Sequence, residues 1–167
     1  MTSVVPQVID WLVAAAKASP RLGQAVPPVA VFDGVQPPGG SQSAEQALWI
    51  AGDPASPSDP AAEAEQVFAS GTRARNFDES GAIAMTAQHW SGSTDNKVHR
   101  DGAAAIVAGV ELLVRGLQPE GPGDATMGGL VFQSWVTGPF DWRPRQVSGG
   151  ALCLVTFHVT YMTRLTT

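Results

Sequence analysis

The sequence predicts an α+β domain in which one mainly antiparallel sheet of four to five strands packs against two helices. Two segments carry apolar residues at helical spacing, and a C-terminal run alternates between apolar and mixed positions. The linear order is helix, strand, strand, strand or hairpin, helix, strand, strand, which favours helices packed on a sheet. The 167 residues are expected to form one domain, 1–167, that buries roughly 70% of its unfolded surface.

The first helix is expected over residues 3–18. Five apolar side chains share one face at helical spacing: Val5, Ile9, Leu12, Val13 and Ala16. Ser3 is the expected N-cap, Pro6 is tolerated in the first turn, and Pro20 ends the helix. The helix is therefore amphipathic, with one face to bury.

Two short strands and a long surface segment follow this helix. The first strand is expected around Val29 to Phe32, and the second over ALWIAGDP, which stops at Asp53-Pro54. From Pro54 to Thr72 the composition shifts to proline, serine, alanine and glutamate, which predicts a long loop with one helical turn at Ala61 to Phe68. Loops of this length in compact domains tend to be functional or disordered.

Residues 73–91 are expected to form a hairpin or one long bent strand. Gly81 is the expected bulge, and the residues that share one face are Ile83, Met85, Ala87 and His89. Two further strands are expected near the C-terminus, LVFQSWVTG and GALCLVTFHVTYMTRL, separated by a long loop from Gly138 to Gly149. In the last strand one face is apolar and the other mixed, as in a sheet with helices on one side.

The second helix is expected within TDNKVHRDGAAAIVAGVELLVRGLQ. Its apolar stripe consists of Ile106, Val110, Leu113 and Leu117, and Pro119 stops it. Glycine weakens a helix by up to about 1 kcal/mol relative to alanine, so close packing must compensate for the glycines of this segment. Gly109 is expected to mark the closest approach of this helix to the sheet.

The polar stretch AQHWSGSTDNKVHR, Ala87 to Arg100, contains two histidines, three hydroxyl residues and an aspartate, a density of reactive side chains that is typical of an active site. Ser93, Thr94 and Asp95, however, stand where a helix needs side-chain acceptors and negative charge, so capping explains them. His99 is expected to face solvent. The stretch therefore does not require catalysis.

Metal and nucleophile chemistry find little support in the residue spacing. His89 and His99 lie ten positions apart, and His158 is the third histidine, which does not match zinc spacing. A triad of Ser91, His158 and Asp95 can be composed, but no nucleophile-elbow motif supports it. No cofactor and no metal are expected, and by elimination the sequence favours a binding or structural protein over an enzyme.

Composition limits the partners. The formal net charge of −5 argues against a tight grip on nucleic acid. Arg73, Arg75 and Arg100 form at most a small basic patch beside acidic neighbours. A single cysteine, Cys153, excludes an internal disulfide, and the absence of a long apolar run or a signal peptide predicts a protein folded in a cytosol and not in a membrane.

The surface is expected to be poor in charge. Charged residues make up 15% of the chain, against roughly 25% in ordinary soluble domains. Such a surface suits a subunit that buries much of itself against neighbours, although an alanine- and glycine-rich protein from a GC-rich genome would look similar. Assembly is the favoured interpretation.

The order of elements resembles the tail terminator proteins of long-tailed, siphovirus-like actinobacterial bacteriophages. The segments that carry the resemblance are an N-terminal amphipathic helix, VPPVAVFDGVQP, ALWIAGDP, NFDESGAIAMTAQHWSGSTD, an alanine-rich helix and GGALCLVTFHVTYMTRL. Versions of these proteins from actinobacterial phages show a similar strand that ends in Trp-Ser-Gly and is followed by Thr-Asp at the helix start, as Trp90-Ser91-Gly92 and Thr94-Asp95 do here. The similarity spans nearly the whole chain, although these motifs are structural and the loop from Pro54 to Thr72 has no counterpart.

The resemblance implies a structural virion protein without catalytic activity. Its subunits would form a hexameric ring on the head-proximal end of the tail tube, end tube polymerisation and join the tail to a head-completion or connector protein. The implied partners are a second copy of the chain, the tail tube protein and passing DNA that is not bound specifically. Assembly would take place in the host cytoplasm.

Two groups of site residues are expected to make these contacts. The acidic candidates for the lumen or the head-side joint are Asp53, Asp59, Glu63 and Glu65. The interface candidates are Trp142, flanked by Asp141 and Arg143, together with Arg73 and Arg75, because tryptophan and arginine are enriched at interface hot spots. A loop tryptophan folded back on its own domain remains an equal alternative for Trp142.

Two other functions stay open at this point. A head-completion or neck protein would share the size, the fold and the ring symmetry. From a different class, a small cytosolic ligand-binding or hydrolytic domain would use His89, Ser91 and His158.

Overall fold

The computed structural model of the protein describes residues 2–35, 44–69, 76–118 and 120–165. These residues form two helices, α1 (Val5–Ala18) and α2 (Asn96–Val114). They also form six strands: β1 (Ala30–Asp33), β2 (Gln46–Ile50), β3 (Ala62–Phe68), β4 (Phe77–Ser91), β5 (Gln133–Val147) and β6 (Gly150–Leu165). The predicted α+β class is confirmed, with one strand more than the expected four to five.

The strands form one open sheet in the order β1-β2-β4-β6-β5, and β3 pairs with the first half of β4. β1 and β2 run parallel, and the other pairs are antiparallel. The two long strands β4 and β6 form the centre of the sheet, paired from Phe77 and Leu165 to Ser91 and Ala151. This long pairing gives the domain a continuous platform.

Both helices contribute to one core on one face of the platform. Alternate residues of β4, Ile83, Met85 and Ala87, are buried there, as are the odd-numbered residues of β6 from Ala151 to Tyr161. The predicted alternation in both strands is therefore correct. The helical residues of this core are Val8, Leu12, Ala15, Ala16, Ala103, Ile106, Val110, Leu113 and Val114.

The start of α1 differs from the prediction. Val4, not Ser3, occupies the N-cap position, and no side chain caps the helix from there. The Ser3 hydroxyl instead accepts a hydrogen bond from the Val5 amide and donates one to Glu79, a residue of β4. A carboxylate from a distant strand therefore takes over the capping role, and sequence-local rules cannot anticipate such a partner.

The buried face of α1 is narrower than its apolar face. Val8, Leu12, Ala15 and Ala16 are buried. Val5, Ile9 and Val13 are only partly buried and pack against the core from the side. The prediction included these flanking residues because apolar periodicity shows which side of a helix is apolar. It does not show which of those residues contact the core.

The prediction of a helical turn at Ala61 to Phe68 is wrong, because Ala62 to Phe68 form the strand β3. It pairs antiparallel with β4, from Ala62 opposite Ile83 to Phe68 opposite Phe77. The alternation of alanine and glutamate in this stretch fits a strand with one acidic face. Pairing with β4 supplies the backbone hydrogen bonds that a lone helical turn would lack.

Gly81 is not a bulge, since β4 runs through it in unbroken register with both β3 and β6. A Cβ at this position would lie 2.5 Å from the ring of Tyr161, its partner on β6. The glycine is therefore needed for space. It lets the Tyr161 hydroxyl reach the carboxylate of Glu79 at 2.9 Å.

The N-cap of α2 is Asp95, whose side chain accepts from the Lys97 amide at 2.8 Å, as the sequence predicts. The helix ends at Val114, before the predicted Pro119, because Gly116 adopts a left-handed φ of 66°. Leu117 therefore lies beyond the helix and is exposed.

The glycine at the closest approach of α2 to the sheet is Gly102, not the predicted Gly109. A Cβ on Gly102 would lie 2.2 Å from the ring of His89 on β4. A Cβ on Gly109 would meet Leu22 and the Arg21 carbonyl, which belong to the segment after α1. Helix periodicity does not reveal which neighbour each glycine faces.

The prediction of a loop from Gly138 to Gly149 is also wrong, because most of these residues belong to β5. The strand is irregular between Thr137 and Asp141 and then pairs with β6 up to Val147, where Ser148 and Gly149 make the turn. The strand contains Pro139 and Pro144, which an edge strand tolerates because one side of its backbone is unpaired.

Candidate interaction surface

Among the described residues, no helix packs on the second face of the sheet, here called the open face. Its residues are those that alternate with the core positions, for example Thr86 and Gln88 on β4 and Leu154 and His158 on β6. A small apolar cluster of Ala47, Trp49 and Leu154 lies on it, apart from the main core. The predicted site residues converge largely on this face.

Arg143 links the acidic candidate Asp53 to the interface candidate Asp141. Its guanidinium donates to Asp53 at 3.0 Å and to Asp141 at 2.7 Å. Asp53 lies after β2 and Arg143 on β5, so this contact joins two distant parts of the sheet. The Asp53 side chain is only 10% exposed, and it also accepts from the Ala55 amide. The hydrogen bond that Arg143 donates to Asp141, and then the charge of Asp53, raise the pKa of Arg143 further above its usual range.

A cavity of about 400 Å³ opens beside this ion-pair group. Three of the four predicted acidic residues line it, Asp53, Asp59 and Glu63, together with Arg143 and His158. Glu65 lies in the adjoining shallow depression on the same face. The acidic candidates, which lie close together in sequence, therefore form one region on the open face.

A second concave region on the open face was missed by the sequence interpretation. It is an apolar trough of about 480 Å³, lined by Trp49, Trp90, Leu152 and Leu154, with Arg145 at its edge. Phe32 stacks on Trp49 with ring centroids 5.4 Å apart, which supports the floor. Period-2 alternation through Trp49 and Leu154 could have indicated that both face away from the helices.

Trp142 is not part of either cavity. It pairs with Val155, whose side chain is buried under the helices, so Trp142 belongs to the opposite face from Arg143. Its side chain remains 40% exposed at the edge of the sheet. The structure thus separates Trp142 from its sequence neighbours Asp141 and Arg143. The two other interface candidates, Arg73 and Arg75, lie outside the described residues.

His99 does not face solvent as predicted, because this residue of α2 is fully buried on the side of the helix that faces the sheet. Its Nε2 lies 2.9 Å from the Ser93 carbonyl, and its Nδ1 lies 3.2 Å from Nδ1 of His89. A carbonyl only accepts, so neutral His99 donates from Nε2 and accepts at Nδ1 from His89. Burial, and then repulsion from His99, lowers the pKa of His89, and Glu45 opposes the shift.

We expect the histidine pair to make stability depend on pH. Because folding lowers the pKa of His89, the unfolded chain binds the proton more readily. The free energy of unfolding should be highest above the ordinary histidine pKa of about 6.5 and should fall as the pH drops below it. Urea unfolding at pH 7.5 and 5.0 measures the effect. It should shrink in His89→Gln and persist in His158→Gln, and equal changes in both variants would contradict the assignment.

The triad of Ser91, His158 and Asp95 is not assembled. Ser91 pairs with Ala151, and His158 lies seven residues further along β6, roughly 23 Å away. Ser91 also shares the helix side of β4 with His89, whereas His158 faces the open side. The hydrolytic alternative, which would use His89, Ser91 and His158, therefore lacks a joint site, because His158 lies far from the other two residues and on the opposite face of the sheet.

Within the ranges described, no three histidine, cysteine, aspartate or glutamate side chains are arranged to hold a metal ion. None of the described helices is long and apolar enough to cross a membrane. No protein-family model matches the chain, and a search of curated proteins returned no match. The function is therefore inferred from the surface itself.

Proposed function

We propose that this chain is the subunit of a ring that caps the head-proximal end of a phage tail tube, ends tube polymerisation and joins the tail to the head connector. The observation that carries the proposal is the open face, where one side of a long sheet bears an acidic cavity and an apolar trough. A sheet with a helix layer on one side and such features on the other is suited to contacts with neighbours.

The acidic region favours a role next to DNA without gripping it. Glu63 and Glu65 project from β3 onto the open face and take part in none of the ion pairs among the described residues. A surface of this sign repels phosphates, so DNA can pass along it without being held. Asp53 differs, since Arg143 neutralises it and its role is to join the loop after β2 to β5.

Purified tail tubes with open ends provide the direct test. Addition of the wild-type protein should stop further tube elongation and should leave ring-shaped density at one end in negative-stain images. Rings that bind an isolated head connector but not tube ends would point to the neck protein. A protein that binds neither structure contradicts the proposal.

Charge reversal of the free acidic residues should impair the capped tail while leaving the fold intact. We expect the triple variant Asp59→Lys, Glu63→Lys, Glu65→Lys to lose head joining or DNA ejection, because the exposed positive side chains would attract phosphates. The matched control is Asp10→Lys on the exposed surface of α1. Wild-type joining and ejection by the triple variant would remove the acidic residues from the mechanism.

The cavity of about 400 Å³ also favours a second candidate function, the binding of a small ligand. Arg143 and His158 would provide the polar contacts, and the volume falls within the range usual for ligand sites. A thermal-shift screen of the wild type against His158→Ala tests it. A ligand that stabilises the wild type but not the variant would support this function, whereas no stabilisation by any compound would count against it.

A further inference from the structure

The apolar trough differs from the acidic cavity in its charge. Carboxylates line the cavity, and its arginine, Arg143, already donates to Asp53 and Asp141. Among the residues that the structure describes, no acidic side chain lines the trough, and Arg145 is its one charged group. Arg145 is exposed and takes part in none of the ion pairs of those residues. The trough is therefore the part of the open face that favours an anion.

The strand register aligns an indole, a leucine and this guanidinium group on the open face. Leu152 on β6 pairs with Trp90 on β4 and with Arg145 on β5. Residues paired across neighbouring strands lie on the same face, and neighbouring strands are about 4.8 Å apart, so the backbones of Trp90 and Arg145 are roughly 10 Å apart. The row offers an aromatic surface at one end, a cation at the other, and an aliphatic side chain between them.

Buried apolar side chains form the floor of the trough. Trp49 is 2% exposed and Leu154 is 5% exposed, and both belong to the small apolar cluster of the open face. Trp90 and Leu152 are half-buried and rise beside this floor. A ligand that fills the trough gains most by bringing an apolar surface, because contact with these side chains removes that surface from water.

We propose that the trough binds a small aromatic carboxylate. Its ring system stacks against Trp90 and lies over Leu152 and Leu154, and its carboxylate accepts hydrogen bonds from the Arg145 guanidinium. The volume of about 480 Å³ falls within the range usual for small-ligand sites. This inference goes beyond the proposed function, because ending a tail tube and joining it to a head connector require no small ligand.

The two parts of the ligand contribute differently. Arg145 is exposed, so solvent screens its attraction to a carboxylate, and the charge should add about 5-fold in affinity at most. The apolar contacts provide the rest of the affinity. The expected order of binding is therefore aromatic carboxylate, then the neutral aromatic amide of the same shape, then the corresponding aromatic amine, whose positive charge Arg145 repels.

The test compares 2-naphthoate with 2-naphthamide, which have the same rings and nearly the same shape but differ in charge. Isothermal titration calorimetry of the full-length protein at neutral pH measures both affinities, and the indole N–H signals of the tryptophans in NMR spectra locate the site. The carboxylate should bind about 5-fold more tightly than the amide and should shift the indole signal of Trp90. Salt at about 0.5 M should remove most of this difference, because it screens the exposed charge.

Three full-length variants separate the contributions. Arg145→Gln should weaken 2-naphthoate about 5-fold and leave 2-naphthamide unchanged. Trp90→Ala should weaken both compounds about 10-fold, because both lose the stacking surface. Arg100→Gln is the matched control, since it removes the same charge from the exposed surface of α2, on the other side of the sheet, and should change neither affinity. Circular dichroism establishes that each variant is folded.

Four results would overturn the inference. These are the absence of saturable binding of 2-naphthoate, equal affinities for the carboxylate and the amide, equal losses in Arg145→Gln and Arg100→Gln, and NMR shifts confined to the acidic cavity. If Trp90→Ala does not fold, the comparison of Arg145→Gln with Arg100→Gln still decides. The capping of tail tubes is tested without any ligand, so the proposed function and this inference can fail independently.

Discussion

Replacement of Glu79 by alanine is expected to lower the free energy of unfolding by about 3 kcal/mol. Glu79 is 1% exposed, and its carboxylate accepts four hydrogen bonds. The donors are the Ser3 hydroxyl, the Val4 amide, the Tyr161 hydroxyl and the Gln66 side chain, at 3.0, 3.1, 2.9 and 2.6 Å. Removal of the acceptor leaves several of these donors buried without a partner, and it removes the negative charge near the start of α1.

The melting temperature should fall by about 10 °C for a loss of this size in a domain of this length. Asp78→Ala is the matched control, because Asp78 is the neighbouring carboxylate and its ion pair with Arg164 is exposed. Solvent screens that exposed pair, so its loss should lower the free energy of unfolding much less than the loss of Glu79 does. Similar losses in the two variants would show that the hydrogen bonds of Glu79 are not what stabilises the junction of α1, β3, β4 and β6.

Replacement of Gly102 by alanine is expected to destabilise the protein by about 2 kcal/mol, although the same change stabilises an ordinary helix. A Cβ on Gly102 would lie 2.2 Å from the His89 ring. His89 is held by His99, which is itself fixed to the Ser93 carbonyl, so the ring cannot move without breaking that chain of contacts. The loss from overpacking should therefore exceed the gain in helix propensity.

The double variant Gly102→Ala, His89→Ala provides the internal control for this prediction. Removal of the imidazole leaves room for the new methyl group, so the cost of Gly102→Ala should largely disappear in the His89→Ala background. Urea unfolding of the four proteins in this double-mutant cycle measures the coupling. If Gly102→Ala costs as much without the imidazole as with it, the close contact with His89 is not the cause.

The candidate surface shows where sequence reasoning stops. The acidic residues were selected because glutamate and aspartate recur between residues 53 and 65, but the loop interpretation missed the strand β3 that carries two of them. Its partner segment in β4 lies beyond a connection, and strand pairing is a long-range interaction that local composition does not report. The same limit applies to Arg143 and Asp53, which meet across the sheet although they are 90 residues apart.

The amino-acid sequence by itself determined the class of fold, the position of both helices and the two faces of β4 and β6, because side-chain periodicity directly reports which positions are buried. Only the tertiary structure decided that Glu79 caps α1, that His99 is buried against His89, and that Trp142 and Arg143 face opposite ways. Each of these depends on which strand lies beside which, and on the register between them. That choice follows from the packing of the whole chain, since a shift of one residue in register would exchange the buried and exposed faces.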